Sequence, residues 1–243
     1  MDRVFVFLIG LALGSAANVI AGRFGSKRSF LSGRSVCDHC GRPLTSWQLV
    51  PLVGFLVQAG RCVFCGKPIA LRYTIVELLT ALAALLIYRE FDLAFVTNLL
   101  LVASLIAASL IDLDKLILPD WLLAVASILA VVTIVVGGAH LGSQLVGAAL
   151  GFIVPGLLVL PSRGRLMGYG DVKLGALIGL WLGFPAVITA FWLAFVSGGL
   201  VALLLLWSGR KQPKDQLAFG PFLVLGSIVA YRFSTQLISY VWF

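Results

Sequence analysis

Long apolar stretches separated by short polar ones dominate this chain. None of the eight stretches holds more than one charged residue: 4–21, 74–88, 93–111, 120–137, 142–160, 172–184, 186–207 and 217–240. A helix crosses the hydrocarbon core of a bilayer with about 20 mostly apolar residues. The pattern therefore predicts an all-α polytopic membrane protein with about eight transmembrane helices.

The composition agrees with this class. The 243 residues are 60% hydrophobic and only 12% charged, and the mean hydropathy is +1.07. Soluble domains average about 45–50% apolar and about 25% charged residues. A soluble enzyme or binding module is therefore excluded, and we interpret residues 4–21 as the first membrane helix rather than as a cleaved signal peptide.

The basic residues are distributed unevenly between the two sides of the membrane. The segment 22–73 and alternate later loops hold fifteen of the eighteen: Arg23, Lys27, Arg28, Arg34, Arg42, Arg61, Lys67, Arg72, Lys115, Arg163, Arg165, Lys173, Arg210, Lys211 and Lys214. Cytoplasmic loops carry an excess of Lys and Arg. We therefore expect these loops in the cytoplasm and both termini outside. The net charge of +8 is then a topology signal and requires no nucleic-acid partner.

All four cysteines lie in the segment 22–73, as CDHC (Cys37, Cys40) and CVFC (Cys62, Cys65). Two such pairs complete a tetrahedral Zn²⁺ site, which has no open position for catalysis. Two disulfides or loose thiols are the alternatives; a reducing cytoplasm argues against the first and the doubled spacing against the second. The neighbouring His39 is a further candidate ligand, but four thiolates already fill the site. The pattern predicts structural zinc.

Three aspartates follow the third apolar stretch within SLIDLDKLILPD, residues 109–120. Residues two apart on a helix point in roughly opposite directions. Asp112 shares a face with small residues such as Ala108, which is typical of a face turned into a helix bundle. Asp114 then points to solvent, and Asp120 is expected to be the N-cap of the next helix. Asp112 is therefore the candidate functional carboxylate.

A second carboxylate opens the sixth stretch. Asp171 follows the lead-in Gly168-Tyr169-Gly170 and heads a row of glycines four residues apart. That row is formed by Gly175, Gly179 and Gly183. A face without Cβ atoms admits close approach by another helix or by an extended substrate backbone. The alternative is that Asp171 only caps its helix.

Two aspartates at matching depth on neighbouring helices suggest a catalytic pair. Two like charges a few ångströms apart do not both ionise easily, so such a pair holds one proton near neutral pH. The ionised carboxylate then activates water while the protonated one polarises a peptide carbonyl. Lys173 either biases which of Asp112 and Asp171 keeps the proton or faces anionic lipid.

Several motifs together resemble those of one known family. GYGD followed by VKL resembles the Gly-x-Gly-Asp signature of intramembrane aspartic proteases, and with IDLDKLILPD it is similar to the type IV prepilin peptidase family. The similarity extends over nearly the whole chain: GLALGSAANVIAGR, RSVCDHCGRPL, GRCVFCGKPIALRYTIVE and LAFGPFLVLG.

The resemblance implies a bacterial inner-membrane enzyme. Members cleave the basic leader of prepilins and pseudopilins at the cytoplasmic face, and their catalytic pair corresponds to Asp112 and Asp171. Many members also methylate the new N-terminal residue with S-adenosylmethionine. We accordingly expect a first helix (1–21), a cytoplasmic zinc loop (22–73) and a peptidase bundle (74–243).

Five further residues are candidates for supporting roles, and two other functions are compatible with the carboxylates or the cysteines. Gly168, Gly170, Lys173, Arg72 and Glu77 are candidates for supporting the site. Glu77 is one because ionisable residues at membrane depth are often functional, and Gly168 and Gly170 form the flexible entry to the helix of Asp171. For Glu77, pairing with Arg72 is the alternative. A proton-coupled transporter would use the carboxylates as a relay, and a scaffold would use only the cysteine loop.

Overall fold

The computed structural model describes residues 2–26, 34–162, 167–210, 212 and 216–242, and among these there is no β-strand. The predicted all-α class is therefore confirmed. Six of the basic residues on which the predicted orientation depends lie outside the described residues: Lys27, Arg28, Arg163, Arg165, Lys211 and Lys214.

Every predicted apolar stretch forms a helix. The described helices are α1 (Asp2–Arg23), α2 (Val53–Val57), α3 (Leu71–Ile87), α4 (Leu93–Lys115), α5 (Asp120–Gly137), α6 (Leu141–Ser162), α7 (Tyr169–Leu182), α8 (Ala186–Trp207) and α9 (Gly220–Trp242). Five are long and apolar enough to cross a membrane: α1, α4, α5, α6 and α8. All eight predicted stretches are thus helical, but the predicted count of about eight membrane spans is not confirmed. The helices α3 and α7 have only 17 and 14 residues, and the apolar part of α9 with continuously described side chains is the shorter Gly220–Ser234.

The chain forms two compact units, Met1–Tyr88 and Arg89–Phe243. The first contains α1, the cysteine segment and α3; the domain boundary expected at residue 74 lies within α3 and stays a prediction. Within this unit α1 packs closely on α3, and a Cβ atom at Gly14 would lie 2.7 Å from Cα of Glu77. Small residues allow helices to approach in this way.

The second unit is a six-helix bundle in which α4 packs on α5 and α9, α6 on α7, and α8 on α9. Its fully buried side chains include Leu101, Leu105, Ile111, Leu174, Ile178 and Leu223. One buried polar contact links α7 to α4: Nε1 of Trp181 donates a hydrogen bond to Oδ1 of Asn98 over 2.7 Å. Such satisfied polar pairs connect helices where apolar packing alone gives little preference in lipid.

Local signals set the ends of α4 and α5. Oδ1 of Asp92 caps α4 by accepting the N–H of Phe95 over 2.7 Å, and Gly138 ends α5 in the left-handed conformation.

The prediction that Asp120 is an N-cap is wrong, because Pro119 occupies that position and Asp120 is the first helical residue. The Asp120 carboxylate instead pairs with Nζ of Lys173 at 2.6 Å.

The glycine row of α7 packs against α6. A Cβ atom at Gly151 would overlap the carbonyl oxygen of Gly175, and one at Gly147 would overlap that of Gly179. The glycine face is therefore occupied by the neighbouring helix α6 and not by an extended substrate backbone. The row brings α6 and α7 into backbone contact behind Asp171.

We predict that Gly151→Ala lowers the free energy of unfolding by about 1–3 kcal/mol, the usual cost of overpacking. Thermal unfolding of the purified protein in detergent measures the change. Gly142→Ala is the matched control on the same helix, because nothing lies within 4 Å of a Cβ atom there. Equal melting temperatures for the two variants would contradict the packing described for α6 and α7.

Candidate active site

Asp112 lies in the last turn of α4 and is only 6% exposed. Its Oδ2 accepts a hydrogen bond from the backbone N–H of Gly220 over 3.1 Å. Gly220 is the first residue of α9, where N–H groups have no partner within the helix and favour negative charge. A Cβ atom at Gly220 would lie 2.8 Å from Oδ2 of Asp112, so glycine is what permits this approach.

Asp171 is the third residue of α7 and is only 7% exposed. Its Oδ2 accepts the backbone N–H of Gly168 over 3.0 Å. Its Oδ1 is buried and has no hydrogen-bond partner among the described residues. Oδ2 therefore caps α7, as the alternative interpretation expects. Oδ1 does not take part in the cap and is available to a different partner.

The two carboxylates belong to one site within the second unit. The side chain of Leu118 lies near both carboxylates' backbone neighbours. A Cβ atom at Gly170, next to Asp171, would be 3.1 Å from Leu118 Cβ, and one at Gly220, the donor to Asp112, would be 3.6 Å from Leu118 Cδ2. The structure therefore brings together the two aspartates selected from the sequence.

Other charged residues near these helices point outward. Asp114 is exposed on α4, as expected from its position two residues after Asp112. Lys173 and Asp120 form their ion pair on the surface, with both side chains more than half exposed. Such a pair contributes about 0–1 kcal/mol. Lys173 therefore forms a weak surface ion pair with Asp120.

The four cysteines of the first unit form a compact cluster. Their Sγ atoms all lie within 4.8 Å of one another, and those of Cys37 and Cys65 are 4.0 Å apart. All four thiols are free, so the disulfide alternative is excluded in this structure. Zn–S bonds of about 2.3 Å in a tetrahedron require sulfur separations of this size, and the cluster therefore fits a single metal ion.

The two CxxC pairs lie in backbone turns of the same pattern. In the first knuckle (residues 35–44), the N–H of Cys37 donates to Arg42 O and that of Leu44 to Ser35 O; in the second (residues 60–69), Cys62 donates to Lys67 O and Ile69 to Gly60 O. Each knuckle turns through a left-handed glycine, Gly41 or Gly66. The two knuckles thus present their thiols with the same local geometry.

The thiols differ in how readily they ionise. Hydrogen bonds from the backbone N–H groups of Cys65 and Phe64 lower the pKa of Cys62 to about 7. For Cys65 the N–H of Lys67 lowers the pKa, but partial loss of hydration and hydrogen bonds to the neighbouring thiols outweigh it and raise the pKa to about 11. A metal ion must displace the protons that the cluster retains, so binding releases protons.

A cavity of about 510 Å³ lies in the first unit beside the cysteine cluster. Glu77 is buried at its wall, and its Oε2 accepts the N–H of Leu52 over 3.0 Å. Tyr73 donates its hydroxyl to Oδ2 of Asp38 over 2.8 Å, and its carbonyl accepts from Asn18 Nδ2 over 3.1 Å. A cavity of this size and polarity is typical of a small-molecule site.

Sequence reasoning missed several residues of these sites. Gly220 donates a backbone N–H, which no side-chain pattern reveals, and Leu118 contributes only by packing. Asn18 and Tyr73 line the cavity; the signal for Asn18 was a polar residue inside an uncharged apolar helix. Arg72 is exposed at the start of α3.

Two family models match the chain. Residues 8–91 match the Bacterial Peptidase A24 N-terminal domain, and residues 99–203 match the Type IV leader peptidase family. The first covers the cysteine segment and the cavity, and the second covers both buried aspartates. No solved structure matches the chain.

Curated relatives align over almost the full length. A prepilin leader peptidase/N-methyltransferase from Burkholderia pseudomallei is 32% identical, over 97% of this chain and 86% of the relative. One of the same name from Bacillus subtilis is 31% identical, over 97% of this chain and 96% of the relative. A third, from Myxococcus xanthus, is 34% identical over 88% of this chain and 66% of the relative.

Proposed function

Because the chain belongs to the type IV leader peptidase family, we propose that it is a membrane-embedded aspartic endopeptidase that removes the basic leader of prepilins or pseudopilins. Relatives that carry the peptidase name align with both units. The observation that carries the proposal is the buried pair Asp112 and Asp171, each fixed by a backbone N–H. The transporter and scaffold alternatives have no comparable support.

The geometry supports hydrolysis by water without a covalent intermediate. In each aspartate Oδ2 is held by a backbone N–H, so the carboxyl group is oriented before substrate arrives. Oδ1 of Asp171 is buried without a partner in the described chain and is available to a proton or a water. The ionised carboxylate takes a proton from the water that attacks the peptide carbonyl, and the other carboxyl donates to the carbonyl oxygen. The C–N bond then breaks and the leaving amine takes up a proton.

The proposed orientation of the chain in the membrane rests on the distribution of basic residues and on where the two aspartates lie in their helices. Asp112 lies at the end of α4 and Asp171 at the start of α7. With the basic loops in the cytoplasm, both carboxylates face the cytoplasmic side, where the leader of a prepilin is located, and both termini lie outside. The bilayer here is the bacterial inner membrane.

The cysteine cluster holds Zn²⁺ in a structural role under this proposal. Cys37, Cys40, Cys62 and Cys65 supply four ligands at compatible distances, which leaves no open coordination position. The ion would join the two knuckles and so shape the segment between them. His39 is not part of the cluster.

The chain also carries a suitable place for a methyl donor. When bound, S-adenosylmethionine would supply an electrophilic methyl group for the new N-terminal amine. The cavity of the first unit fits a ligand of that class because the buried carboxylate of Glu77 and the carboxylate of Asp38 line it, and both suit a cationic sulfonium and ammonium ligand. Arg23 and Arg34 line the same cavity and suit its carboxylate.

Asp112→Asn and Asp171→Asn are each expected to lower cleavage at least about a hundredfold, the usual scale of acid–base catalysis. The assay uses purified protein in detergent and a peptide with a basic leader, a glycine and an apolar helix, with products identified by mass. Asp114→Asn is the matched control, since Asp114 is exposed on the same helix. Normal cleavage by either site variant would contradict the aspartic mechanism.

Metal analysis of the purified chain is expected to give one zinc ion per molecule. Cys40→Ser and Cys65→Ser should each lose it, and because both side chains are exposed the loss would not reflect a damaged core. His39→Ala should keep the metal. Full zinc content in either serine variant, or loss in the histidine variant, would contradict the four-cysteine assignment.

Glu77→Gln is expected to weaken binding of labelled S-adenosylmethionine at least about tenfold, which corresponds to about 1.4 kcal/mol. Glutamine keeps an oxygen for the Leu52 N–H but removes the charge. The product of the cleavage assay should then lack the mass of one added CH2 group, whereas cleavage itself continues. Glu90→Gln, at an exposed position, is the control, and undiminished binding by Glu77→Gln would contradict the proposed donor site.

A further inference from the structure

The segment that connects the two cysteine knuckles has an unusual composition for a loop outside the membrane helices. Residues 43–60 contain no charged residue over 18 positions, and Arg42 and Arg61 flank them directly. The segment contains a short 3₁₀ helix (Ser46–Leu49) and the five-residue helix α2. We call it the inter-knuckle segment.

The inter-knuckle segment turns its polar side chains inward. Gln48 and Gln58 are both buried, and Nε2 of Gln48 donates to Oε1 of Gln58 over 3.3 Å. Nε2 of Gln58 donates to the carbonyl oxygen of Gly54 over 2.7 Å. The carboxylate of Glu77 accepts the N–H of Leu52 from the same side. The interior of the segment is therefore a satisfied polar network.

Its large apolar side chains point outward instead. Six of them are between 41% and 72% exposed: Trp47, Leu49, Val50, Val53, Leu56 and Val57. Apolar residues on a surface in water are normally scattered singly, whereas six large ones are exposed between residues 47 and 57. In this segment both glutamines are buried while six of the large apolar side chains are exposed. That distribution suits contact with hydrocarbon.

The segment lies beside the end of a helix that is apolar enough to span a membrane, because Val19 and Gly22 of α1 line the same cavity as Gln48 and Leu52. It begins 20 residues after the end of α1 at Arg23 and ends 11 residues before α3 begins at Leu71, and α1 is long and apolar enough to span a membrane. Arg42, Arg61 and Lys67 are exposed around it. Basic residues beside an apolar face favour anionic lipid head groups, and tryptophan is enriched at the membrane interface.

We propose that the inter-knuckle segment is an interfacial membrane anchor, which inserts the outward side chains of residues 47–57 into the lipid surface while the flanking basic residues contact anionic head groups. It lies in the plane of the interface, as amphipathic anchors do, and does not span the bilayer. The proposal rests on burial and charge in the first unit and is independent of the proposed function.

The anchor has a consequence for the cavity of the first unit. The inner side of the segment contributes Gln48, Leu52, Phe55 and Gln58 to the cavity wall. With the outer side in lipid, that wall would be held at the membrane surface. A ligand that reaches the cavity would then meet any substrate whose polar end emerges from the bilayer at that depth.

Three other occupants of the apolar face would give different results: the second unit of the same chain, a second copy of the chain, or the apolar helix of a substrate. Site-specific photocrosslinking separates them. Benzoylphenylalanine replaces Leu56, the most exposed side chain of the face at 72%, in full-length protein in vesicles of phosphatidylcholine and phosphatidylglycerol without substrate. The adducts are identified by mass spectrometry.

The expected result is a lipid adduct at Leu56, as strong as at a positive-control position, Leu204, which is exposed on the spanning helix α8. A benzoylphenylalanine at the partly buried Phe55 is the inward control and should give no lipid adduct. An adduct only to a peptide of residues 89–243, only to a second copy, or none at all while Leu204 labels lipid would overturn the proposal.

A second measurement does not depend on the crosslinker. The fluorescence difference between wild type and Trp47→Phe isolates the emission of Trp47. In vesicles that contain phospholipids brominated near the head group, this difference signal should fall by at least about half, and it should resist an aqueous quencher. Quenching only from the aqueous side would overturn the anchor even if Leu56 had labelled lipid by chance contact.

Discussion

The structure depends on keeping two carboxylates buried at the ends of membrane helices. Burying a charged group without partners costs many kcal/mol, so each carboxylate needs a donor that is fixed in place. Backbone N–H groups at helix starts supply it: Gly220 at the start of α9 for Asp112, and Gly168 ahead of α7 for Asp171. The close packing of α6 on the glycine row of α7 in turn fixes the helix that carries Asp171. The bundle is thus built around two oriented acids.

The segment between α1 and α3 in the first unit is stabilised differently, because few of its apolar side chains are buried. The hydrogen bond from the N–H of Leu52 to Glu77 ties the stretch between the knuckles to α3, and a Zn²⁺ ion bound by the four thiols, which lie within 4.8 Å of one another, would join the two knuckles. Leu52 has a positive φ of 59°, which is unfavourable for a branched side chain. A strained residue bonded to a buried carboxylate is an arrangement that surrounding contacts must enforce, and it lies at the wall of the cavity.

Much of this architecture could be predicted from the sequence because the signals were local. The apolar stretches predicted eight helices, and the doubled CxxC spacing predicted the thiol cluster. Helix periodicity predicted that Asp112 faces the bundle and Asp114 the solvent. What could not be predicted depends on contacts between distant residues. The donor to Asp112 is 108 positions away in the chain, the partner of Asp120 is a lysine on another helix, and the inverted polarity of residues 43–60 becomes visible only with burial. Helix lengths of 17 and 14 for α3 and α7 likewise reflect where the chain turns, which apolar content does not determine.

The central claim is that Asp112 and Asp171 act as one catalytic unit, and a double-variant cycle tests it most directly. Cleavage rates of wild type, Asp112→Asn, Asp171→Asn and the double variant are compared, after thermal unfolding has shown that all four are folded. Residues that act as a unit lose their effect together, so the double variant should be no slower than the slower single variant. Losses that multiply, so that the double variant is slower than either single variant by the other's full factor, would contradict the claim and indicate two independent contributions.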